Sequence, residues 1–241
     1  RNQLEVIVID NGSIDPPRAL VARYDFARFG EETRPGSFAA RNKALSMARG
    51  SILAFTDADC VPDTRWLEAA VIAIDGVNSI DVVAGRIDLV ALDPARPKAT
   101  ELFDIAVRMD QQKRVNESNG VVTANMVTRR DLFEKVGPFD DSLMSGADAV
   151  WSARAAEHGY IVKYVDDAVV IHPARTKLSE VLRQARRRAG GKIDMHARQS
   201  KRHFVSKLLT TAKKLLPKTG GLVNARRKLM LRGYGWWAWI R

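Results

Sequence analysis

Ile52-Leu53-Ala54-Phe55-Thr56-Asp57-Ala58-Asp59 decides how the rest of this chain is read. The apolar run at 52–55 has the length of a buried strand and is too short for a helix of its own. Two carboxylates, Asp57 and Asp59, emerge where that strand ends, with one residue between them. In an open α/β sheet the carboxyl edge of the strands is where ligands bind. Paired acids there repel each other unless a cation joins them, and a hard divalent ion takes oxygen ligands. An ion held in this way can clamp a diphosphate and assist its departure. A loop that simply holds two acids is the competing reading, so the surrounding sequence has to decide.

Outward from the pair, residues 4–9 (LEVIVI) predict a buried parallel strand, ending in the turn Asp10-Asn11-Gly12-Ser13. Pro16 or Pro17 starts a helix near 18–24. After a loop at Pro35-Gly36, Ser37 caps a helix carrying Ala39, Ala40, Ala44, Leu45 and Ala48, with Gly50 as its stop. Residues 66–74 predict a helix, and 80–84 and 86–90 two strands. Residues 92–118 are mostly helical and polar, with Glu101, Asp104, Arg108 and Asp110 at near-helical spacing. A strand at 121–128, a short helix at 130–136, a helix at 148–158 and two short strands at 160–165 and 168–171 complete the series. Alternating strands and helices give an α/β sheet in the first half. The second half mixes helices with shorter strands, which suits a nucleotide-binding half followed by an acceptor half. There is no internal repeat.

The length of 241 residues fits one α/β domain with an appendage, and 46% apolar content supports a core. The single cysteine, Cys60, excludes an internal disulfide and fits a reducing compartment. The chain begins at Arg1 with no visible signal peptide, and reads as a fragment that has lost its natural start. The net charge of +11 divides unevenly: residues 1–174 hold 20 Lys and Arg against 26 acids, and residues 175–241 hold 19 against 2. We therefore expect a domain over 1–174 and a basic tail over 175–241 whose partner is a polyanionic surface. Phe204, Val205, Leu208, Leu209, Ala212, Leu215 and Leu216 recur at helical spacing, with Lys207, Lys213 and Lys214 off that stripe. A second basic helix follows at 222–232, and then Tyr234, Trp236, Trp237 and Trp239. No apolar run reaches the roughly 18 residues of a membrane span.

Five segments together resemble family 2 glycosyltransferases, which have the GT-A fold, over about residues 4–190. EVIVIDNGSID resembles that family's second strand and nucleotide-binding turn. PGSFAARNKALSMARG resembles its G-x-x-x-A-R-N-x-G/A-L helix, and FTDADCVPD its D-x-D metal motif. VTANMVTRRDLFEKVGPFDDSL resembles its acceptor-side strand and helix, and SGADAVWSARAAEHGY its catalytic segment, G-E-D-x-D-L-x-x-R-x-x-x-G-Y. Each is weak alone; all five in order are not. The resemblance implies an α/β GT-A fold, a Rossmann-like, mostly parallel sheet flanked by helices, followed by a basic helical C-terminal tail. The family's first strand would precede residue 1. Two acids of the catalytic segment are replaced, by Ala147 and Val150, while Asp148 keeps its place.

The same resemblance implies roles. Asp59 ligates Mg2+ or Mn2+ carrying the donor diphosphate, and His172 completes the metal shell. Asp57 holds the ribose or a metal-bound water. Asp10 and Asn11 face the base and ribose, and Arg41 and Asn42 reach the nucleotide from the helix start, where a cation suits a diphosphate. Asn125 touches the donor sugar or acceptor. Asp148 is the base that takes the acceptor's proton, kept ionised by its helix N-terminus. Structural alternatives stand beside these roles: an Asx turn at Asp10 and Asn11, a solvated helix face at Arg41 and Asn42, an N-cap at Asp148. Trp151 is read as core. The expected activity is inverting transfer from a nucleotide-diphosphate sugar to a glycan or lipid-linked acceptor. The expected location is cytoplasmic, on the inner face of the membrane, held there by the tail. One rival is a weak or inactive donor-binding relative, raised by Ala147 and Val150. The other is a nucleic-acid-binding protein, which the acidic body opposes.

Overall fold

Residues 4–77, 79–107 and 110–191 are described by the structure, a computed structural model of the chain. The tail helices expected at 204–216 and 222–232 and the terminal aromatic residues lie outside them. The strands are β1 (Val6–Asp10), β2 (Ala27–Glu31), β3 (Ile52–Thr56), β4 (Val61–Pro62), β5 (Val82–Val90), β6 (Asn125–Arg129) and β7 (Val162–Pro173). The helices are α1 (Arg18–Val21), α2 (Ser37–Met47), α3 (Trp66–Asp75), α4 (Ala99–Ala106), α5 (Gln111–Ser118), α6 (Asp131–Val136) and α7 (Ala147–Glu157). Residues 178–191 are helical as well. β2 and β4 had no counterpart in the sequence reading. Ser37 is the first helical residue of α2 rather than its cap; Gly36 precedes it, and no side chain caps the helix.

β1 and β2 form a two-stranded sheet, and the larger sheet has the order β3-β6-β5-β7-β4. β1–β2 and β5–β7 pair parallel, whereas β3–β6, β5–β6 and β4–β7 pair antiparallel. The expected mostly parallel sheet is thus corrected to a mixed one, and the route into β6 is the reason. α5 brings the chain back to the middle of β5, where Gln111 Nε2 donates to Gly85 O at 3.0 Å and Asn125 O at 2.6 Å. β6 therefore starts beside Gly85 and runs back along β5, with Ala84 opposite Met126 and Val82 opposite Thr128. A parallel strand would first need a crossover to the other edge. Positions 52–55 and 4–9 were expected to be buried. Both strands are half-exposed, with Leu53 the buried residue of β3, because β3 ends its sheet and β1 has only β2 beside it.

The two breaks expected at Gly85 and at 166–167 are one feature. β5 and β7 are each continuous, and their register shifts between Gly85, opposite Val165, and Arg86, opposite Val169. The extra residues 166–168 bulge from β7, as an inserted residue does. A Cβ on Gly85 would lie 2.4 Å from Ala168 O and 2.4 Å from Asn125 Nδ2, so the strand needs a bare Cα here.

Helices cover both faces of the larger sheet. On one, Trp66, Ala70 and Ile74 of α3 pack against Val83, Val127, Ala168 and Val170. On the other, Phe55, Phe133, Phe139 and Trp151 form an aromatic cluster, with Phe133 stacked on Trp151 at 4.3 Å. Fully burying one such side chain stabilises by about 1.5–3 kcal/mol.

The stretch read as polar and helical also buries acids. Glu101 is 1% exposed, and its carboxylate accepts from Leu92 N at 2.9 Å and Lys98 N at 2.7 Å. The amides of Leu92 and then Lys98 hold its pKa below the usual glutamate range. A depressed folded-state pKa means stability that is present above the unfolded value and lost as pH falls through the folded one. Glu101→Gln is therefore expected to be less stable than wild type at about pH 7, with the gap closing toward about pH 3. Urea midpoints of the two proteins across that range check it, and a gap constant with pH would contradict it. Asp104 accepts from the Arg175 backbone at 3.0 Å and its guanidinium at 2.9 Å, which ties the residues following β7 to α4.

Candidate active site

β3, β5 and β7 share one direction; β3 ends and β6 begins at the level of Gly85, and β5 and β7 run on past that point to Val90 and Pro173. Thr56, the last residue of β3, pairs with Asn125, the first of β6. The chain leaving Thr56 toward Asp57 and Asp59 therefore starts beside the chain that enters β6 from residues 121–124.

Asp57 and Asp59 are not equivalent. Arg41 of α2 reaches Asp57 with an Nη2–Oδ1 distance of 2.6 Å, and both side chains are partly buried. The charge of Asp57 is thus balanced by a guanidinium rather than waiting for a metal. Asp59 is exposed, and its Oδ1 lies 4.0 Å from Nε2 of His172, whose side chain is buried. His172 Nδ1 is 2.8 Å from Pro173 O. A carbonyl only accepts, so Nδ1 is the donor here and Nε2 is the ring nitrogen turned to Asp59. The 4.0 Å gap is too long for a hydrogen bond and leaves room between the two groups for an ion. A carboxylate oxygen suits Mn2+ or Mg2+ and an imidazole nitrogen a transition ion, so this pair fits a divalent ion. Cys60 lies against the same group. Burial pushes its thiol up to about 11.

Asp148 is the second residue of α7, after Gly146 in the left-handed region at φ +85°. It is 8% exposed. Its Oδ2 accepts from Thr123 N at 3.0 Å and Thr123 Oγ1 at 3.2 Å, and Oδ1 accepts from Ala149 N at 2.9 Å. Ser152, one turn on, accepts from Val121 N at 2.8 Å, and Gln111 Oε1 accepts from Val122 N at 2.8 Å. Three successive backbone N–H groups, 121 to 123, are thus each taken by a side chain, which fixes an irregular segment beside the acidic pair. Thr123, Gln111 and Ser152 were not singled out from the sequence. The signal available was the alternation of Thr123 and Asn125 with apolar residues in a segment read as a strand.

Three other residues named from the sequence hold bonds within the fold. Asn125 is 0% exposed. Its Oδ1 accepts from Trp66 Nε1, and its Nδ2 donates to Arg86 O and Ala168 O, so it fastens α3, β5 and β7 together. Asn42 exchanges two hydrogen bonds with the Phe139 backbone, at 2.9 and 3.1 Å, and docks α2 on the segment after α6. Asn11 donates to Glu32 O and Arg34 O and accepts from Gly36 N, shaping the loop into α2. Asp10 accepts from the Gly12 and Ser13 amides. The Ser13 hydroxyl leads in holding its carboxyl below the usual range. It stays half-exposed at the end of β1, beside the loop that enters α2. Trp151 is core, 0% exposed, with Nε1 donating to Gly137 O.

The chain has recognisable relatives. A family model described as Glycosyl transferase family 2 matches residues 1–137. The glycosyltransferase AglE of Haloferax volcanii is 34% identical over 200 residues, covering 81% of this chain and 64% of that protein. The pre-mycofactocin glycosyltransferase of Mycobacterium tuberculosis is 27% identical over 187 residues, covering 73% and 39%. This chain therefore spans less than two thirds of either protein. Among solved structures, the mannosyltransferase PcManGT from Pyrobaculum calidifontis, in complex with GDP-Man and Mn2+, superposes with a TM-score of 0.62 at 24% identity. That match covers 83% of this chain and 56% of the other, and at this identity it speaks for the fold.

Proposed function

The chain belongs to glycosyl transferase family 2, and we propose that it moves a sugar, with inversion, from a nucleotide-diphosphate donor to a hydroxyl of a glycan or lipid-linked acceptor. One observation carries most of this reading. Thr56, which leads into the acids, pairs with Asn125, which follows the segment whose Thr123 is gripped by Asp148. This supports a leaving-group site and a proton acceptor near the same end of β3.

Asp59 and His172 would hold Mn2+ or Mg2+, by analogy with the PcManGT complex. A divalent ion there supplies charge neutralisation for the departing diphosphate. Arg41, paired with Asp57, brings a cation to the same end of β3, and Asp10 at the end of β1 is the remaining candidate for the nucleoside. In the transfer step the acceptor oxygen bonds the anomeric carbon from the face opposite the diphosphate. The carbon–oxygen bond to phosphorus breaks with its electron pair on the diphosphate, and the acceptor's proton passes to Asp148.

Nucleotide-dependent thermal shifts test the donor half. With Mn2+ present, the correct diphosphate among UDP, GDP and dTDP, at about a hundredfold over its Kd, should raise Tm by about 5 °C or more. Asp59→Ala should lose the Mn2+-dependent part. Equal shifts in the variant would remove Asp59 from the metal site.

The basic tail is read as a contact with an anionic membrane, where each nearby Lys or Arg contributes about 1 kcal/mol. Among the described residues no helix is long and apolar enough to cross a membrane. At matched salt the full chain should be retained on anionic vesicles more strongly than on RNA, and the reverse order would favour the nucleic-acid reading.

A further inference from the structure

Cys60 has no part in the scheme above, yet it lies inside the metal group. Its Sγ, a carboxylate oxygen of Asp59 and a ring nitrogen of His172 are all within 4.8 Å of one another. Two features of the backbone produce this. Cys60 N donates to Asp57 O at 3.0 Å, closing a turn that folds the cysteine back under the acidic pair. β4 then begins at once, and Val61 pairs with Ile171, the residue before His172. The thiol is held at the imidazole by strand pairing, not by chance approach of a loop.

His172 supplies the independent sign of a ligand. It is 5% exposed, its Nδ1 is tied to Pro173 O, and among the described residues its Nε2 has no hydrogen-bond partner. Asp59 Oδ1 is 4.0 Å from that nitrogen. An imidazole nitrogen that faces a carboxylate and a thiol is suited to a cation.

We propose that Cys60 is a third protein ligand of the divalent ion, which makes this a mixed sulfur, nitrogen and oxygen site. The inference rests on the metal reading of Asp59 and His172. When the ion binds, a metal–sulfur bond forms and the thiol proton leaves to solvent. Soft thiolate favours Zn2+, Cd2+ and Co2+ over Mg2+, which prefers all-oxygen shells. The site therefore discriminates among divalent ions by more than charge, and thiophilic ions compete with Mn2+ for it.

Cobalt reports sulfur ligation directly, and Cys60 is the chain's single cysteine, so a thiolate-to-cobalt charge-transfer band has one source. Co2+ added to the full chain should give that near-ultraviolet band. Cys60→Ser should still bind Co2+ through Asp59 and His172 but lack the band. Its Cd2+ affinity should fall on the order of ten- to a hundredfold, the range lost even when an outer-shell partner is removed, with Mg2+ affinity little changed. If wild type binds Co2+ without the band, or Cys60→Ser keeps its Cd2+ affinity, sulfur ligation is overturned and the Asp59–His172 site stands. If wild type binds none of these ions, both fall. Should Cys60→Ser fail to fold, alkylation of wild-type Cys60 by iodoacetamide gives the same answer. Cd2+ should slow it strongly, and an unchanged rate overturns the proposal.

Discussion

Asp148→Asn is expected to reduce sugar transfer by about 10²–10⁴-fold, the range a positioned general base supplies, while nucleotide binding persists. The amide keeps the shape of the side chain but cannot take the acceptor's proton. The geometry also gives Asp148 a second task, since Oδ2 accepts both the amide and the hydroxyl of Thr123. An asparagine offers one acceptor oxygen in place of two, so some stability is lost as well, about 1–3 kcal/mol for a buried group left unmatched. The two effects separate by measurement. Rates are normalised to folded protein by circular dichroism, and Thr123→Val serves as the control. That variant loses the hydroxyl contact and keeps the carboxylate, so it should lose Tm with only a small change in kcat. A base role predicts that kcat collapses in Asp148→Asn alone, with donor KM shifted only a few-fold. If Asp148→Asn and Thr123→Val lose Tm alike and both keep kcat, Asp148 is an anchor for residues 121–123 and the base lies elsewhere.

The double duty of Asp148 illustrates what could be read from the sequence. Position in the chain was informative where local rules apply. A strand at 52–55 with acids at its end, and a helix at 148–158 stopped by Gly159, follow from apolar run length and glycine placement, and the structure has them at 52–56 and 147–157. The meeting of His172 with Asp59 came from the family resemblance, and the strand pairing of β4 on β7 gives it a physical cause. What could not be read was the partner of each buried amide. Asn42 binds the backbone of Phe139, 97 residues away, and Asn11 binds Glu32 and Arg34 across more than 20. In sequence such an asparagine looks the same whether it faces a nucleotide or a carbonyl in its own fold. The same blindness applied to Asp57, whose charge meets Arg41 from a helix 16 residues earlier. The direction of β6 was hidden for a related reason, because it depends on where α5 delivers the chain and on the Gln111 amide that pins it there.

Asn125→Leu is the sharpest test of that lesson, because the two possible roles of Asn125 predict opposite results. As a ligand contact, the substitution would leave a folded protein that transfers poorly. As the joint seen in the fold, it strands Trp66 Nε1–H, Arg86 O and Ala168 O in an interior without water. Each orphaned group costs about 1–3 kcal/mol, so the loss is expected to be on the order of 4 kcal/mol. Domains are stable by about 5–15 kcal/mol in total, and the variant should express poorly or unfold at much lower urea. Gly85→Ala should do the same from the other side, since the added methyl would overlap the Asn125 amide and Ala168 O. The two sites touch, so the double variant should cost clearly less than the sum of the single ones. A loss under about 1 kcal/mol in Asn125→Leu, within the range of ordinary substitutions, would show that the amide is not what holds the joint. Activity would follow stability here without Asn125 meeting a substrate. The residue opens β6, two positions after the Thr123 that Asp148 grips, so loosening it frees the segment that Asp148 holds.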